Sequence, residues 1–115
     1  MDDFGFILFI IFALAISIFL IIAYWKVFQK AGQPGWGVLI PIYNIYLLLV
    51  IAGRPGWWIL LYLIPLVNFV IAIIVNIDIA KNFGKDVAFG LGLAFLSIIF
   101  YPILAFGSAT YQKVN

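Results

Sequence analysis

The 115-residue chain is 68% hydrophobic and 9% charged, with six Lys or Arg, four Asp or Glu, no His and no Cys; its mean hydropathy is +1.29. A single domain of this size buries only about two-thirds of its surface, so the composition excludes a water-soluble fold and makes lipid the solvent for most of the chain. The missing Cys and His exclude disulfides, the usual zinc ligands and the commonest acid–base group, and a net charge of +2, thinly spread, gives no nucleic-acid signature.

One integral membrane domain is expected over residues 1–115, all-α and polytopic, built from four apolar runs. The first, 4–25, reaches about 33 Å as a helix, enough for a bilayer core. It follows Asp2 and Asp3, with no basic leader and no small-residue cleavage site, and so reads as a retained anchor. Tyr24 and Trp25 stand where an interfacial aromatic belt belongs, with Lys26 beyond them. The second run, 36–52, is shorter, about 25 Å, and a re-entrant segment is its alternative. The third, 57–80, holds Asn68, Asn76 and Asp78; the fourth is 87–106. "QKAGQPG", "GRPG" and "KNFGKD" punctuate them as tight turns. With four spans the first and third loops share a side and carry Lys26, Lys30, Lys81 and Lys85, whereas Arg54 and Lys113 fall on the other. The positive-inside rule then puts the Lys-rich loops in the cytoplasm and both termini outside.

The chain writes one turn twice, "GQPGW" at 32–36 and "GRPGW" at 53–57, and follows each with Ile-Pro-x-x-Asn, "IPIYN" at 40–44 and "IPLVN" at 64–68. Under the four-span topology these are inverted repeats in the second and third helices. Counting at 1.5 Å per residue puts Asn44 about 12 Å from one face and Asn68 about 14 Å from the same face, so the two amides are expected to pair across antiparallel neighbours. Pro41 and Pro65, with Pro102 in the fourth run, are expected kinks, because an interior Pro frees a carbonyl that lipid cannot satisfy.

Asp78 lies at the cytoplasmic edge of its run, three residues before Lys81, and is expected to form an interfacial ion pair with it. Gly84, Ala88 and Gly92 recur every four residues and form a candidate packing face for the fourth helix. No enzyme constellation is visible: Ser17, Ser97 and Ser108 lack a base and a cleft, and no cofactor or metal site is expected. The residues therefore point to a structural or adaptor protein that packs in the bilayer with itself or with a larger membrane partner. A minimal transporter or channel subunit for a small polar solute or ion, with its site near Asn44 and Asn68, is the alternative. A non-catalytic accessory to a membrane enzyme is a third reading.

"KAGQPGWGVLIPIYNIYLLL", "GRPGWWILLYLIPLVN", "AKNFGK" and "FGLGLAFLSIIFYPILAFGSATY" together resemble a family of small bacterial four-helix membrane domains of unknown function. Domains of this kind look similar to a membrane region found ahead of type I signal peptidase. The resemblance implies a multi-pass protein of the bacterial inner membrane. It implies no proteolytic activity here, because the Ser and Lys of that peptidase would lie in a separate domain outside the membrane.

Overall fold

The computed structural model describes residues 2–114 and builds six α-helices, with no strand among the described residues. Helix α1 runs over Asp3–Lys30. Asp2 caps it by accepting from the Gly5 amide at 2.6 Å, and Asp3 in the first turn and Lys30 in the last both complement the helix dipole. At 28 residues it is about 42 Å long. Only Ala23, Val27 and Phe28 within it are buried, so the rest of the molecule packs on its last third. It is the one helix among the described residues long and apolar enough to cross a membrane.

The doubled turn is a helix stop. Gly32 has φ +78° and Gly53 φ +80°. Each glycine amide bonds three residues back, to Gln29 O at 3.0 Å and Val50 O at 3.1 Å, and the next amide bonds five back, from Gln33 to Phe28 O and from Arg54 to Leu49 O, both at 2.9 Å. This is the Schellman arrangement, which needs a left-handed residue and so selects Gly. "KNFGK" repeats it a third time at Gly84, φ +77°. After the first two stops Pro34 and Pro55 hold extended backbone and launch short 3-10 helices, Gly35–Leu39 and Gly56–Trp58.

Each of the three later runs then breaks part-way along and folds back on itself. In the second run Ile40 is extended, the conformation favoured before Pro, and α2 starts at Pro41 and ends at Ala52. Asn44 Nδ2 donates back to Val38 O at 3.0 Å, and the Trp36 and Tyr43 rings lie 5.4 Å apart. The third run forms α3 (Ile59–Tyr62), reverses over 63–66, and returns as α4 (Val67–Asn82). At the reversal the Val67 amide bonds Pro65 O at 2.8 Å across Leu66, which sits at φ +70°, ψ −47°, the strained form of the γ-turn. The fourth run gives α5 (Val87–Phe95), capped by Asp86 on the Phe89 amide at 2.9 Å, and α6 (Ser97–Phe106). Between them Leu96 leaves helical geometry and the Ser97 hydroxyl takes the Leu93 carbonyl at 2.5 Å. Phe89 and Phe100 stack at 5.2 Å, although a straight helix would separate them by about 16 Å.

The long spans expected at 36–52, 57–80 and 87–106 are thus each interrupted, because a Pro, a γ-turn or a hydroxyl breaks the amide ladder part-way along. Pro41 begins a helix and Pro65 lies in a reversal, so neither kinks a helix interior; Pro102 does lie inside α6.

Candidate functional site

The helix stops and the fold-backs gather polar groups at one place, where the C-terminal ends of α1, α2, α4 and α6 meet the 107–114 segment. Asn82, fully buried in the last turn of α4, donates from Nδ2 to Ile51 O at 2.9 Å and accepts the Val114 amide at 2.9 Å, while its own carbonyl accepts Gln112 N at 2.6 Å. Tyr111 donates its hydroxyl to the same Ile51 carbonyl at 2.9 Å and packs edge-on against Phe83; burial pushes its phenol pKa up. Lys30 donates to Leu104 O, Gly107 O and Ala109 O at 2.8, 2.9 and 3.1 Å. The joint seals carbonyls that helix ends leave open, which is why so many of its donors point at backbone oxygen.

Asp78 is buried one turn before Asn82 and accepts Arg54 Nε at 2.5 Å. The Arg54 guanidinium also lies 4.9 Å from the centre of the Trp58 ring. The ion pair of Asp78 is therefore with Arg54 and not, as the i+3 spacing suggested, with Lys81, which is exposed. The spacing argument placed Arg54 and Asp78 on opposite sides of the membrane; the fold-back of the third run brings α4 back to the end of α2 and makes them neighbours.

The same fold-back separates the expected amide pair. Asn44 lies seven residues before Ile51 and Asn68 fourteen before Asn82, so along their helices they stand about 10 Å and about 21 Å from the joint. Asn44 bonds Val38 O instead. Asn68 is half-buried on the wall of a second feature, an open cleft of about 260 Å³ lined by Tyr62, Asn68, Phe69, Ala72, Ile73, Ala94 and Phe95. The two helices bring like ends together at the joint, so the antiparallel, inverted relation expected of the repeat does not describe them; what repeats is the local turn.

The small-residue face resolves differently as well. Gly84 forms the turn and Ala88 is exposed, while Gly92 is buried against Phe100. The close helix approach belongs to Gly90, where a Cβ would stand 2.5 Å from Ile77 Cα. Tyr101, fully buried, stacks on Tyr24 at 4.2 Å between ring centres and donates its hydroxyl to Asn76 Oδ1. Sequence reasoning missed Asn82, Tyr111 and the role of Lys30. Asn82 had a signal: with Ile71, Val75 and Asp78 it falls on one helical face, the buried one. Tyr111 and Lys30 had none, because their partners are backbone carbonyls distant in sequence.

No curated protein and no solved structure matches the chain. A family model does, over residues 36–114, from the second apolar run through the tail that closes the joint. The chain belongs to DUF5684, a family of unknown function.

Proposed function

We propose that this chain is a small integral membrane protein of structural or adaptor type, held in the bilayer by α1 and packing there with itself or with a larger membrane partner. The observation that carries the reading is the surface of α1. Over its first two-thirds it is apolar all round and almost nothing in the molecule covers it, with Phe4 71% and Phe12 66% exposed. A helix hydrophobic on every side is stable in lipid or against another apolar helix. The glycines of α5 are used up in contacts within the chain, so α1 replaces the Gly84–Ala88–Gly92 face as the surface offered to a partner. Purification in nanodiscs followed by mass spectrometry tests this: a stoichiometric partner or a defined homo-oligomer is expected. Release from membranes by alkaline carbonate would sink membrane residence, and a monomer free of partners would sink the adaptor role.

A second reading, a minimal transporter or channel subunit for a small polar solute, draws on the cleft. Among the described residues the side-chain amide of Asn68 makes no hydrogen bond, and it borders a mostly apolar opening. Flux in reconstituted vesicles that disappears in Asn68→Leu would favour it; absence of flux in the parent would remove it. The structural reading stands first, because the cleft offers one amide where a solute site needs several convergent polar groups.

A further inference from the structure

The chain carries six cationic side chains, and the fold collects them. Lys30 sits in the joint; Lys26 lies over the Phe106 ring at the end of α6, and Lys85 stands in the turn that closes α4, its amide bonded to Ala80 O. Arg54 reaches Asp78 there, Lys81 adjoins buried Asn82, and Lys113 lies between Gln112 and Val114, whose amides bond Asn82. Only Asp78 and Asp86 oppose them, since Asp2 and Asp3 stand at the far end of α1, about 40 Å away along its axis. The fold-backs have the opposite chemistry. Their turns are apolar and outward-facing: Ile40 is 45%, Leu66 85% and Leu96 51% exposed. None of α2 to α6 exceeds 16 residues, about 24 Å, which is short of a bilayer core. The body thus has a cationic end and apolar turns, and it is fixed to the last third of a helix long and apolar enough to span.

We propose that the cationic joint is a docking surface for anionic phospholipid headgroups, with α1 alone crossing the bilayer and the folded-back runs lodged in the leaflet that carries those headgroups. Lys and Arg at an anionic surface bind additively and are screened by salt, and a cationic cluster beside a spanning helix faces the cytoplasm. Arg54 and the 107–114 segment then lie on the same side as Lys30 and Lys85, whereas four crossings would put them on the other.

The proposal rests on the membrane residence argued for α1, and the two fail separately. The chain has no native Cys, so single Cys at Asp3, Pro55 and Ser108 can be labelled in right-side-out membranes with an impermeant maleimide. Labelling is expected at Asp3→Cys from outside, and at Pro55→Cys and Ser108→Cys only after permeabilisation. Labelling of the latter two from outside, with the protein still in the carbonate-resistant pellet, overturns the proposal and leaves membrane residence intact. In parallel, native mass spectrometry from nanodiscs of equal phosphatidylglycerol and phosphatidylcholine should show retained phosphatidylglycerol. Lys81→Gln with Lys85→Gln should lower that retention by about fivefold per charge at low salt, with unchanged helix content. Equal retention of both lipids, or no change in the double variant, also overturns it.

Discussion

Gly90→Ala is the sharpest test of how the helices close on one another. The added Cβ would stand 2.5 Å from Ile77 Cα and 2.9 Å from Ile77 Cγ1, and the first of these is backbone, so no rotamer change relieves it. The α4–α5 hairpin has to open by roughly an ångström to restore ordinary contact, and overpacking of this kind costs about 3 kcal/mol at the upper end of its range. Alanine in a helix interior returns about 1 kcal/mol relative to glycine. The net expectation is a loss of about 2 kcal/mol, or about thirtyfold in the folded-to-unfolded ratio. Reversible unfolding in mixed micelles, followed by circular dichroism, reads the difference. Ala88→Leu is the control: Ala88 is exposed, so its enlargement should leave the midpoint within about 0.5 kcal/mol. The Gly84–Ala88–Gly92 face would reverse the two results, and a Gly90→Ala variant as stable as the parent would refute the packing argued here.

Asn82→Ala should destabilise by about 2 kcal/mol, because it removes a fully buried side chain that donates to Ile51 O and accepts the Val114 amide, whereas Tyr111→Phe should cost about 1 kcal/mol in the same assay. Arg54→Ala leaves the Asp78 carboxylate buried without its partner and should cost about 3 kcal/mol, with much of the loss recovered in the Arg54→Ala, Asp78→Asn double variant; equal instability of the two would show that the charge is not what matters. Leu66→Gly relieves a positive φ at an exposed turn and should raise the unfolding midpoint by about 1 kcal/mol. Under oxidation Asn44→Cys with Asn68→Cys should form no disulfide, since Asn44 turns back to Val38 O and stands apart from Asn68.

Much of the local structure was legible in the chain because it is governed by near neighbours. Composition pointed to lipid as the solvent, and α1 is a helix long and apolar enough to cross a membrane. The "GQPGW" and "GRPGW" stretches announced two turns of one kind, since only Gly accepts the left-handed step of a Schellman stop and Pro prevents the helix from resuming. The aromatic and Lys flank of α1 and its apolar length were equally plain. Tertiary structure alone decided whether an apolar run stays straight or folds back. Hydropathy measures the solvent a segment prefers and is blind to its direction, so a run that reverses at Ile40, at Leu66 or at Leu96 scores like one that continues. The partners inferred from spacing and depth differ for that reason: Asp78 meets Arg54 rather than Lys81, and Asn44 meets Val38 rather than Asn68. The gathering of the cations at one end has the same origin, because loops that alternate sides when helices cross all return to one side when they fold in half.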